Sequence, residues 1–125
     1  MYKLKITDLS VGDWVRWNDK TYRVCLIDGI SLTVELAEEA GGTIEVAIDE
    51  LFGIPITPEI LEKNGISKTY ESDEYAVYKG EGFNVTEYYT ELWEFEKHRN
   101  RMKIRNVHQL QHALRLAGIE KTIEL

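Results

Sequence analysis

The chain has one cysteine, two prolines and three histidines in 125 residues. It also has no apolar run near the ~18–20 residues that a membrane span requires. A single thiol, Cys25, excludes an internal disulfide. It falls in the strand-like run Tyr22–Ile27 and reads as a small, buried or half-buried strand residue. No membrane partner is expected. The opening residues Met1–Ile6 lack the apolar stretch and cleavage site of a signal peptide, so a cytoplasmic location is expected.

Catalytic signatures are missing too. Ser10, Ser31, Ser67 and Ser72 stand outside any Gly-x-Ser-x-Gly elbow. The glycines at Gly41-Gly42 and Gly80-Glu81-Gly82 form neither a phosphate loop nor a dinucleotide fingerprint. Cys25 lies at no helix N-terminus that would favour a thiolate. No catalytic residue and no cofactor are therefore assigned, and the chain reads as a non-enzyme.

What is present is an ordinary globular composition, 43% apolar and 30% charged, with a net charge of −7. The charge is unevenly placed. Residues 1–96 carry eight basic and twenty acidic side chains, whereas residues 97–125 carry seven basic and two acidic. Five of those cations, Lys97, Arg99, Arg101, Lys103 and Arg105, fall within nine residues. An acidic chain disfavours nucleic-acid binding by its whole surface but leaves room for one basic face.

The first half reads as short strands. Trp14–Trp17, the polar turn Asn18-Asp19-Lys20 and Tyr22–Ile27 come first. After the Asp28-Gly29 turn signal, Ile30, Leu32, Val34 and Leu36 alternate with polar residues, as do Ile44, Val46 and Ile48 after a Gly41-Gly42 loop. A helical turn at Asp49–Leu51 precedes a last strand, Phe52–Ile56. Strands this short cover one another by curling, which predicts an SH3-like small β-barrel over residues 1–56.

Residues 57–125 read as a short helix, an antiparallel β-meander, a C-terminal helix and a closing strand. Thr57-Pro58-Glu59 starts the short helix and Asn64-Gly65 ends it. Four strands are expected, near Lys68–Glu71 or Tyr75–Lys79, then Phe83–Tyr88, Glu91–Glu96 and Arg101–Arg105. Val107, Leu110, Leu114 and Ala117 form one apolar stripe, with Asn106 and Gln109 as a capping pair. Ile123 and Leu125 alternate with Thr122 and Glu124 as the closing strand. The fold class is α+β, the barrel packed against the meander with one good helix.

Three segments carry a family resemblance: Leu9-Ser10-Val11-Gly12-Asp13-Trp14-Val15, Ile56–Ile66 and Val107-His108-Gln109-Leu110-Gln111. In this order they resemble a family of small uncharacterised proteins of gut bacteria and their phages or mobile elements. The resemblance implies a cytosolic protein of mobile-element origin. It brings no activity and no functional residue.

Three binding readings remain, in order of preference. The first is an accessory module that binds another protein. Trp14 and Trp17, three apart on a strand and so on opposite faces, offer it one exposed aromatic. The second is nucleic acid on Lys97, Arg99, Arg101, Lys103 and Arg105, with sheet aromatics stacking on bases. Its competitor is internal, because a hairpin centred on His98–Asn100 lays Glu94 and Glu96 beside Arg101–Lys103. The third is a metal held by His108 and His112, four apart on the helix, with His98 or a glutamate as a further ligand. Gln109 occupies the place where a zinc protease needs its glutamate base.

Overall fold

The computed structural model describes residues 3–125; the first two residues of the N-terminal reading lie outside the described part. The chain forms two compact units that divide between Ile54 and Pro55. Each is built on an antiparallel sheet in simple meander order, four strands in the first and five in the second. Among the described residues no helix is long and apolar enough to cross a membrane.

The first sheet contains β1 (Trp14–Trp17), β2 (Lys20–Asp28), β3 (Thr33–Ala37) and β4 (Thr43–Ala47). The turn after β1 carries positive φ at Asn18 (50°) and Asp19 (63°), the left-handed pair that a two-residue hairpin demands. The inward residues Val15, Val24, Val34, Leu36 and Val46 form the core with Leu4, Leu9 and Leu51. The Gly12-Asp13 segment is stitched to the sheet by its backbone: Gly12 N–H donates to Val24 O, and Val24 N–H donates to Asp13 O. The fully buried Asp13 carboxylate accepts from Ser10 N–H at 2.8 Å. The segment thus earns its residue types by shaping a turn.

Three local expectations change here. β3 starts at Thr33, so Ile30 and Leu32 stand in the turn, 98% and 48% exposed. The Asp28 carboxylate takes the N–H groups of both Ile30 and Ser31, which draws the turn out beyond Gly29. The positive φ then falls on Leu32 (57°). Cys25 lies where the β2–β3 register shifts and is exposed, its Sγ donating to Glu35 O at 3.2 Å. The strand expected over Phe52–Ile56 is reduced to isolated bridges: Phe52 with Arg16 and Lys3, and Pro55 with Asn106. Among the described residues no ladder closes the sheet into a barrel.

The second sheet contains β5 (Ser67–Glu71), β6 (Tyr75–Gly80), β7 (Phe83–Tyr88), β8 (Leu92–Lys97) and β9 (Asn100–Ile104). The two segments offered as alternatives for its first strand both form, and they pair with each other. One face buries Ala76, Tyr78, Phe83, Val85, Trp93, Phe95 and Ile104. The other carries Tyr70, Tyr75 and Tyr88 in a row across three strands, with ring centroids 5.4 and 5.9 Å apart. Helix α1 (Pro58–Lys63) is capped by Thr57 Oγ1, which accepts from Ile60 N–H. Helix α2 (Val107–Leu116) buries Val107, His108, Leu110, Ala113 and Leu114. Gln109 Oε1 caps its start by accepting from the N–H groups of Asn106 and Arg105. After α2 the chain is irregular: the closing strand over Ile123–Leu125 does not form, although Ile123 is fully buried.

The three-residue turn between β7 and β8 places Glu91 at φ 70°. A side chain in the left-handed region costs roughly 1 kcal/mol that glycine avoids. The variant Glu91→Gly is therefore expected to stabilise the protein by about 0.5–1 kcal/mol, read as a higher midpoint in urea at unchanged slope.

Candidate functional site

β8 and β9 are joined by His98 and Arg99 alone, since Lys97 pairs directly with Asn100. From that turn the register runs Arg101 opposite Glu96, Met102 opposite Phe95, Lys103 opposite Glu94 and Ile104 opposite Trp93. Side chains alternate, so Met102 and Ile104 share the buried face, and Arg101 and Lys103 share the other. The ion pairing expected from the sequence is present. Arg101 Nε lies 2.8 Å from Glu96 Oε2 and 3.9 Å from Glu94 Oε1. The Glu96 hydrogen bond, more than either carboxylate's field, holds the Arg101 pKa above its ordinary value. This pair is open to water, and exposed pairs of its kind contribute little to stability.

Lys97 is engaged differently. It lies on the buried face, and its Nζ donates to the Ala117 carbonyl at the end of α2. A cation there satisfies a carbonyl the helix cannot pair itself and complements the negative end of its dipole. Lys97 and Arg101 thus serve the fold. Arg99, Lys103 and Arg105 are exposed.

Between the β8–β9 turn and the last two turns of α2 lies a cleft of about 350 Å³. Phe95, Met102, Ala113 and Ala117 supply apolar walls, and Leu116 stands beside them, 77% exposed. Lys97, His98, Asn100 and Arg101 border the mouth. Leu116 is set apart from the other exposed apolar side chains, such as Ile30 and Val11, by lining this cleft, where burying a leucine side chain is worth ~1.5–3 kcal/mol. With a cationic border, the cleft suits a ligand that is apolar in part and anionic in part. The sequence reading singled out Lys97 and Arg101 as part of a basic segment for nucleic acid, not as the border of a cleft, and it missed Leu116. The available signal was an apolar residue two positions past Leu114, off the stripe that the helix buries.

The other candidate residues are dispersed. Trp17 packs on the first unit's core, its ring centroid 5.9 Å from that of Tyr22. Trp14, on the opposite face, lies under the Arg23 guanidinium, 4.8 Å from ring centroid to carbon. Each is half-buried. His108 is buried in α2, and His112 meets it edge-on with centroids 5.8 Å apart. His98 is in the β8–β9 turn. Among the described residues no group of three histidine, cysteine, aspartate or glutamate side chains is arranged to hold a metal ion. A second depression, in the first unit, is bordered by Asp19, Lys20, Tyr22, Glu38 and Glu39, with Ala37 and Ala40 beside them, and its lining is the more polar of the two.

Set against family models, curated proteins and solved structures, the chain matches none. The reading of function therefore rests on the cleft.

Proposed function

We propose that the protein is a non-catalytic binding module that docks a segment of another protein in the cleft between the β8–β9 turn and α2. The observation that carries this reading is Leu116, exposed beside the apolar walls of Phe95 and Met102. A peptide side chain entering the cleft removes Leu116 and the half-buried Met102 from water against the buried Phe95, and such central apolar anchors dominate the energy of peptide docking. Engagement of Lys97 and Arg101 within the fold favours a protein segment over a phosphate backbone, which needs several free cations in a row.

In the same reading the first unit is an SH3-like barrel. The 3-10 turn Ile48–Glu50 leads directly to Phe52, and Phe52 pairs with Arg16 on the side of β1 that β2 leaves free. That order of elements is the one expected for such a barrel.

The test is selection from a random peptide library on the immobilised protein. Peptides with a large apolar residue flanked by Asp or Glu are expected to be enriched. Leu116→Glu places a charge at the mouth of the cleft and is expected to weaken those peptides by about tenfold or more. The residue is exposed, so folding is spared. Enrichment of peptides that bind Leu116→Glu equally well, or of none, refutes the reading.

A further inference from the structure

The geometry points to a second element of recognition beside the cleft: the outer edge of β9 takes the docked segment as a sixth strand, acidic on one face and apolar on the other. This rests on the cleft reading and specifies the form of its partner.

β9 ends the sheet, and among the described strands it pairs with β8 alone. In a two-residue hairpin the pair flanking the turn, here Lys97 and Asn100, exchanges both backbone hydrogen bonds, and bonded pairs then alternate along the ladder. Met102 and Ile104 therefore spend their backbone groups on β8. Arg101, Lys103 and Arg105 turn theirs outward. The Arg105 carbonyl shows this directly, because it accepts from Ile56 N–H at 3.1 Å. The 55–56 segment thus begins to extend the sheet past β9, with Pro55 bridged to Asn106. It goes no further: Pro58 has no N–H to donate, and at Pro58 the chain enters α1. The N–H and C=O groups of Arg101 and Lys103 stay beyond its reach. Among the described residues no backbone hydrogen bond arrives at them from outside the sheet.

A strand laid on this edge projects its side chains alternately to the two faces. Those on the buried-face side arrive beside Met102, at the cleft walled by Ala113 and Leu116. Those on the other side arrive beside Arg101 and Lys103. Arg101 is paired with Glu96, while Arg99 in the turn and Lys103 on the strand are exposed and present positive charge to an incoming strand. The occupant that complements both faces alternates apolar and acidic residues. A second copy of this chain is disfavoured, because two β9 edges would bring like charges side by side. Backbone pairing supplies the affinity of such strand addition, and the alternate pockets supply the specificity.

The probe is a labelled, capped hexapeptide alternating Glu with Leu and Phe, followed by fluorescence anisotropy on the full chain. A matched peptide is N-methylated on alternate amides; two isomers place the methyl groups in either register. Saturable binding of the plain peptide is expected. At least one N-methyl isomer is expected to bind about tenfold more weakly or worse, because it cannot pair along its length. Binding of the plain peptide is also expected to slow hydrogen exchange at the Arg101 and Lys103 amides and to weaken in the exposed-site variant Lys103→Glu. Equal binding of both N-methyl isomers and the plain peptide, abolished by Leu116→Glu, overturns the sixth strand and leaves the cleft reading standing. No binding of the plain peptide, or binding indifferent to Leu116→Glu, overturns both. Displacement of the peptide by single-stranded RNA with no slowing at Arg101 and Lys103 overturns the strand in favour of a phosphate ligand.

Discussion

Gly80→Ala is expected to destabilise the protein by about 2–3 kcal/mol, far more than one methyl group at a strand end ordinarily costs. Gly80 pairs with Phe83 across the two-residue turn Glu81-Gly82. The Phe83 ring lies over the glycine's α-carbon, so that a β-carbon placed there meets ring atoms at 2.2 and 2.4 Å. The ring has nowhere convenient to go. It is 4% exposed and stacks on Phe95 with centroids 5.4 Å apart, and Phe95 is a wall of the cleft. Covering a bare strand glycine with a cross-strand aromatic is a recognised way to pin register, and here the cover also continues into the core. Thermal melting followed by tryptophan fluorescence is the readout, with a midpoint expected to fall by about 10 °C. The double variant Gly80→Ala/Phe83→Leu relieves the clash and should recover part of the loss, a coupling that a double-mutant cycle measures. A midpoint for Gly80→Ala within 2 °C of the parent would show that the ring swings aside freely. The same variant is expected to weaken the alternating peptide, since Phe95 shifts with Phe83.

The Gly80 case shows where a sequence stops being informative. Gly80-Glu81-Gly82 reads as a turn from composition, and a turn is there. That Gly80 lacks a side chain because Phe83 occupies the space is a fact of cross-strand register. The β8–β9 hairpin was more legible. Alternation and a polar turn place Glu94 and Glu96 near Arg101–Lys103; the structure closes the turn one residue tighter than read, at His98-Arg99, and so sets them directly opposite Lys103 and Arg101. Period-two alternation misled at Ile30 and Leu32. There the Asp28 carboxylate satisfies two N–H groups locally and competes with the ladder, and both apolar side chains are left exposed. The helix stripe located α2 and its capping glutamine, because both follow from short-range geometry. The cleft was not legible, since its walls come from two strands, a turn and the far end of a helix. The five cations illustrate the same limit. Their clustering is a sequence fact, but Lys97 differs from Lys103 only because the helix ends beside one and water lies over the other.

Asn64→Ala is expected to release the C-terminal tail and destabilise the protein by about 2–3 kcal/mol. The sequence reading took the alternation of Thr122, Ile123, Glu124 and Leu125 for a closing strand. The in-and-out pattern is real, with Ile123 buried and Glu124 exposed, but no strand pairs with it. One side chain takes the place of a partner strand. At the end of α1, the buried Asn64 turns its amide toward Glu124. Its Nδ2 donates to Glu124 O, and its Oδ1 accepts from Glu124 N–H, each at 2.7 Å. The second Nδ2 proton reaches Ile60 O at 2.8 Å, which ties the same amide back into the helix. A primary amide reproduces both halves of a backbone pair, and among side chains only Asn and Gln do so. Asn64→Asp keeps the shape and removes both donors, so a carboxylate faces the Ile60 and Glu124 carbonyls. It is expected to cost at least as much as alanine at neutral pH. Those carbonyls also favour the protonated acid, which raises its pKa in the folded state above the unfolded value of about 3.9. The folded protein then binds the proton more tightly than the unfolded one. Part of the lost stability is accordingly expected to return as pH falls through the folded pKa and to vanish as pH rises again. Urea unfolding across that range measures this against the parent. Hydrogen exchange at the Glu124 amide should quicken in both variants, and unchanged exchange there would mean that the tail is held without Asn64.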